Sequence, residues 1–89
     1  MSKLHLLYQN LGGENLKKNC RLIGYRMMAG LKQKDIAKVI GVKESTYAAK
    51  ETGRGVFKEQ EMQTIYEVLK KDLASVKPDL KITDIFFNQ

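Results

Sequence analysis

Apolar positions recur along this chain at spacings of three and four residues, the mark of helices with one buried face. Two such stripes can be drawn on a first helix, predicted from Glu14 or Asn15 to Ala29. One is Leu22, Tyr25 and Ala29; the other is Leu16, Cys20, Ile23 and Met27. Asn15 is the expected N-cap, and Gly30 closes the helix. A helix apolar on two faces must bury both. The N-terminal segment, the C-terminal helix or a partner subunit can cover the second stripe, and cover from the same chain is expected. Ile36, Ala37 and Ile40 mark a second helix over Lys32–Ile40, and a third runs from about Lys43 to Thr52. After a Gly53-Arg54-Gly55 loop, Met62, Ile65, Tyr66, Leu69 and Leu73 repeat along a fourth, from Phe57 to about Leu73. Pro78 interrupts a polar link, and Ile82–Phe87 is predicted as a last short helix capped by Thr83 or Asp84. The pattern predicts an all-α, five-helix domain over residues 14–89. Residues 1–13 form an N-terminal arm, either a short helix or an added strand, that ends at Gly12-Gly13.

The stretch from Gln33 to Arg54 organises the rest. Gly41 breaks the second helix, because a residue without a Cβ can take the left-handed conformation that ends a helix and turns the chain. A second amphipathic stretch starts at once from Val42. Ala37 sits where a larger side chain would hold the two axes apart. Two short helices joined by a tight turn make a helix-turn-helix.

Charge sharpens that picture. The chain has 89 residues and a formal net charge of +6. Residues 1–55 carry 11 Lys/Arg against 4 Asp/Glu, whereas residues 56–89 carry 5 against 6. The positive excess lies in the half that holds the helix pair, as a phosphate-binding surface requires. Cys20 is the only cysteine, so no internal disulfide or cysteine-based metal site can form, which fits a reduced setting. No apolar run approaches the ~18 residues of a membrane span, and residues 1–13 lack the features of a signal peptide. A cytoplasmic protein is expected.

The chain resembles the lambda-repressor-like DNA-binding domains of Cro/CI-type (XRE family) regulators. The resemblance rests on Arg26, Gly30-Leu31, Gln33, Ile36-Ala37, Ile40-Gly41-Val42, Ser45-Thr46, Glu51, Gly53 and Arg54, in the family's spacing. A narrower likeness, to small phage-type members, adds Tyr47, Lys50-Glu51, Gly53, Phe57, Glu61, Ile65, Leu69 and Asp84-Ile85-Phe86-Phe87. It spans about Leu16 to Phe87, with a longer link before Ile82 than is usual.

The resemblance implies a division of labour. The first stripe of helix one, with Arg26 beside it, faces the core. The third helix reads the major groove, with Lys43, Glu44, Ser45, Ala48 and Ala49 toward base edges. Val42 and Tyr47 point inward, as does Thr46 unless it only caps locally. Glu44 can accept from a cytosine amino group, Ser45 can bond several edges, and the alanines can touch thymine methyls. Because no Arg or Gln occupies these positions, DNA shape or Lys43 on a guanine is expected to contribute. Lys32 and Lys43 stand where many relatives have a Ser or Thr N-cap. A lysine cannot accept the free backbone N–H groups and opposes the helix dipole. Either a DNA phosphate satisfies both features or the lysines extend into water. Gln33 occupies a phosphate-bonding position, and Lys34, Lys38, Arg54 and Lys58 are further backbone candidates. Arg26 and Glu51 correspond to a structural ion pair. Tyr47 needs a partner for its hydroxyl.

The implied function is that of a sequence-specific, double-stranded DNA-binding transcriptional regulator of phage or prophage repressor type. It is expected to act as a homodimer on a pseudo-palindromic operator, with dimer contacts from Phe86, Phe87 and the second stripe of helix one. The alternative is a protein-interaction module on the same fold, antirepressor- or antitoxin-like. RNA binding is disfavoured by the lack of stacking aromatics on the basic half. One His, one Cys and no phosphate-binding glycine loop leave no basis for an enzyme, a cofactor or a metal. His5 is expected to be exposed or partly packed, and Cys20 to be a small buried residue.

Overall fold

The computed structural model describes residues 19–86. Within them the chain forms α1 (Cys20–Met28), α2 (Gln33–Ile40), α3 (Glu44–Glu51), α4 (Glu59–Asp72) and α5 (Ile82–Phe86), and no strand. The domain is all-α. α2 packs on α3 and on α4, and α5 closes the domain against α1 and α4.

The core is built from one side of each helix. Leu22 of α1, Ile36 and Ala37 of α2, and Tyr47 of α3 converge on Ile65, Leu69 and Leu73 of α4. Phe57 joins them from the loop before α4, and Leu80, Ile85 and Phe86 close the far side. The Phe57 ring bridges two neighbours, lying 5.9 Å from Tyr47 and 5.5 Å, edge-on, from Phe86. Met62 and Tyr66 are half-buried beside this cluster, so the apolar face expected on α4 forms as its spacing implies.

The turns follow one recipe. At Gly41, with φ at 76°, the Gly41 N–H donates to Lys38 O and the Val42 N–H to Ala37 O. This pairing closes the last turn of α2 and reverses the chain. A Cβ at Gly41 would meet nothing within 4 Å, so glycine is needed for its backbone conformation and not for space. The same pair of bonds closes α1 at Gly30 and α3 at Gly53.

The helix starts share a device as well. The backbone N–H groups of Lys32, Lys58 and Lys81 each donate to a carboxylate three residues on: Asp35 at 2.8 Å, Glu61 at 2.9 Å and Asp84 at 2.9 Å. A lysine side chain cannot accept a bond in return, so only the reciprocal half of a capping box forms. For α5 the cap is therefore Asp84, and not Thr83. At α3 the equivalent position is Thr46, which is exposed and supplies no such bond.

Several expectations change. α1 begins at Cys20, not at Glu14 or Asn15. Asn19 stands at its N-cap position with non-helical ψ 71°, because its N–H donates to Glu51 O and its side-chain amide to Lys50 O at 3.0 Å. Asn15 and Leu16 lie outside the described residues, as do the arm 1–13, His5 and Phe87. Cys20 is exposed instead of buried. Met27 is 66% exposed and Ile23 half-buried, since Leu22 and Arg26 take the inward face of α1. The second stripe is thus not buried by any described residue at Met27. Thr46 points outward, not inward. Phe86, assigned to a dimer contact on the premise that it would be exposed, is buried against Phe57 in the domain's own core.

Candidate nucleic-acid interface

α3 is a helix of eight residues, and its two ends are built differently. At the C-terminal end the Glu51 side chain is the hub. Arg26 Nε donates to Glu51 Oε2 at 2.6 Å and Arg26 Nη2 to Oε1 at 3.2 Å. Gln33 Nε2 donates to Oε1 at 2.7 Å, and the Tyr47 hydroxyl to Oε2 at 2.7 Å. A carboxylate offers about four acceptor sites, so this one is saturated. Arg26 Nη1 also donates to Leu31 O at 2.9 Å, which fixes the turn between α1 and α2.

Glu51 is 1% exposed. Burial would raise its carboxyl pKa, but hydrogen bonds from Arg26, Gln33 and Tyr47 outweigh that and hold it below the ordinary carboxylate range. The bond to Glu51 pushes the Arg26 guanidinium further into its charged form. Burial first, then the Glu51 bond, drives the Tyr47 hydroxyl far above its usual value, so it remains a donor. The expected ion pair between Arg26 and Glu51 forms, and Tyr47 has the partner its burial demands.

A second link ties α3 to α4. Lys50 Nζ sits 2.7 Å from Glu61 Oε1, with the two side chains 13% and 11% exposed. Burial raises the Glu61 carboxyl, while Lys50 and the Lys58 N–H together bring it below its ordinary value. Lys50 thus becomes a strut between α3 and α4. Its ammonium also lies 6.0 Å from the centroid of the Phe57 ring.

The N-terminal end is bare. Lys43, Glu44, Ser45 and Thr46 are exposed, and Ala48 and Ala49 half-buried. Among the described residues no side chain of Lys43–Thr46 makes a hydrogen bond or ion pair. Glu44, Ser45, Ala48 and Ala49 share one face at helical spacing. Lys32, Lys34, Lys38, Arg54 and Lys58, the expected phosphate contacts, are exposed. Gln33 is half-buried, and its amide is engaged by Glu51. After α3 the loop is pinned, because the Arg54 and Gly55 N–H groups both donate to Ala49 O, at 2.8 and 3.2 Å. Phe57 anchors it in the core.

The bonds from Gln33 and Asn19 to the end of α3, and the Lys50–Glu61 strut, were not read from sequence. Among the described residues no group of three or more His, Cys, Asp and Glu could hold a metal ion. Nor, among them, is any helix long and apolar enough to cross a membrane. Compared with known proteins, the chain matches no family model, no curated protein and no solved structure.

Proposed function

We propose that this chain is a sequence-specific double-stranded DNA-binding regulator, a lambda-repressor-like helix-turn-helix domain of Cro/CI type acting in the cytoplasm. One observation carries the reading. α3 is locked at its C-terminal end to α1, α2 and α4, yet its N-terminal face is small, exposed and internally unbonded, with lysine at the helix start. A helix presented this way can enter a major groove without losing contacts that hold the fold.

In this reading Glu44 accepts from a cytosine amino group, Ser45 bonds a base edge, and Ala48 and Ala49 admit thymine methyls. Lys32, Gln33, Lys34, Lys43, Arg54 and Lys58 fix register on the phosphates. The protein acts as a homodimer on a pseudo-palindromic site, as phage repressors do. With Phe86 in the core, the dimer contact falls to the second stripe of α1, of which Met27 is 66% exposed.

The test is a titration onto random-sequence duplex and onto the promoter duplex beside its own gene, at two salt concentrations. Binding should favour the promoter duplex and weaken steeply with salt through counterion release. Lys43→Ala should reduce the slope of log K against log salt by about one. Equal, weak binding to both duplexes would indicate a nonspecific binder. No binding at low salt would overturn the reading in favour of a protein partner.

A further inference from the structure

We infer that Asn19 is a positioning residue for DNA recognition, a splint that fixes the direction of α3 from outside the helix pair. The inference rests on the DNA-binding reading and adds to it a residue that lies on neither helix of that pair. An α-helix leaves its last four carbonyls without partners inside the helix. In α3 these belong to Ala48, Ala49, Lys50 and Glu51. The first two are served locally, Ala48 O by the Thr52 N–H at 3.0 Å and Ala49 O by the Arg54 N–H at 2.8 Å. Lys50 O takes the Gly53 N–H at 3.2 Å and also Asn19 Nδ2 at 3.0 Å. Glu51 O is served by Asn19 alone among the described residues, through the backbone N–H at 3.0 Å and Nδ2 at 3.5 Å. Both oxygens only accept, so the Asn19 amide must turn its NH2 toward them.

An asparagine at this position ordinarily caps its own helix. Asn19 stands at the N-cap of α1, yet its side chain makes no capping bond there. The group that α1 forgoes goes to the far end of α3 instead. This attachment differs in kind from the others at that end. Arg26, Gln33 and Tyr47 hold the Glu51 carboxylate, and Glu61 holds the Lys50 ammonium. Those groups sit at the ends of side chains with several rotatable bonds, so the helix behind them can rock while the bonds persist. Asn19 holds the main chain itself. Over its eight residues α3 rises about 12 Å, so a tilt of about 10° at Glu51 moves the tip by about 2 Å. Hydrogen bonds from Glu44 and Ser45 to base edges tolerate only about half an ångström of change and do not survive that shift. The attraction between lysine side chains and phosphates falls off slowly with distance and does survive it.

The test compares Asn19→Ser with the unaltered chain, each as the full-length protein on the random and promoter duplexes. Serine keeps a good N-cap for α1 and is too short to carry a donor to Lys50 O. It should lower the preference for the promoter duplex about tenfold, with affinity for the random duplex and the salt slope unchanged. A residue that only caps α1, or only adds stability, leaves the preference of the folded variant intact; that result overturns the inference. An equal loss on both duplexes overturns it as well. An unaltered chain without promoter preference overturns the DNA-binding reading and the inference with it. If Asn19→Ser does not fold, hydrogen exchange of the unaltered protein decides. The Asn19 N–H lies outside every described helix, so its bond to Glu51 O is what slows its exchange. It should exchange within about tenfold of the rate of the Tyr47 N–H inside α3. Free exchange at Asn19 beside a protected Tyr47 overturns the inference alone.

Discussion

The two ends of α3 contrast sharply although they lie only two helical turns apart. At Glu51 and Lys50 the side chains reach α1, α2 and α4 through short, largely buried bonds. At Lys43–Thr46 the side chains face outward and, among the described residues, bond to nothing. The first arrangement fixes where the helix points, and the second leaves its tip available. In the proposed reading, stability and recognition are therefore carried by separate residues of one short element, and substitutions should sort accordingly.

The hardest test of that separation is Glu51→Ala. It strands the Arg26 guanidinium in a site 9% exposed and removes the acceptor for Gln33 and Tyr47. Losing one partner of a buried pair costs about 3–5 kcal/mol, a large share of the ~5–15 kcal/mol typical of small domains. Urea unfolding should show the loss directly; an unchanged midpoint would mean that the C-terminal end of α3 is not the anchor.

Acid should reproduce part of this effect without a substitution. Glu51 and Glu61 both have folded-state pKa values below their ordinary range. The stability they contribute is fully present above the unfolded value of about 4.3 and is lost as pH falls through their folded values. Urea midpoints should therefore drop between pH 5 and pH 2, and Glu51→Gln should flatten that profile. The smallest expected effect is at the other end. Ser45→Ala should change stability by no more than about 0.5 kcal/mol while reducing discrimination at one base pair by about 1–3 kcal/mol. A Ser45→Ala protein that melts early but binds normally would collapse the distinction.

Much of the fold was legible in the sequence, because each helix carries its own periodicity and each of the first three ends on a glycine. α4 and α5 fall within two residues of their expected bounds, and Gly41 turns the chain where expected. The misread start of α1 has a physical reason. Apolar spacing continues through Leu16, but what stops the helix is the bonding of Asn19 to carbonyls of Lys50 and Glu51, more than thirty residues away. The same limit hid Gln33–Glu51 and Lys50–Glu61. Local spacing shows which face a residue occupies and cannot show which distant group it meets. Phe86 and Cys20 were misjudged through the same blindness, the phenylalanine because Phe57 reaches it and the cysteine because Leu22 and Arg26 already fill the inward face. The Arg26–Glu51 pair was legible only through resemblance, and the exposed tip of α3 through resemblance joined to charge.

α3 is eight residues long, well short of the ~12–15 at which an isolated helix becomes even marginal in water. Its conformation belongs to the clamp and not to its own sequence. A peptide spanning Glu44–Glu51 alone would be mostly coil, and the same eight residues grafted onto another scaffold would carry the surface letters without the posture. The portable unit is the described domain from Asn19 through Phe86, since Asn19, Arg26, Gln33 and Glu61 must travel with the helix they hold and α5 closes the core behind them.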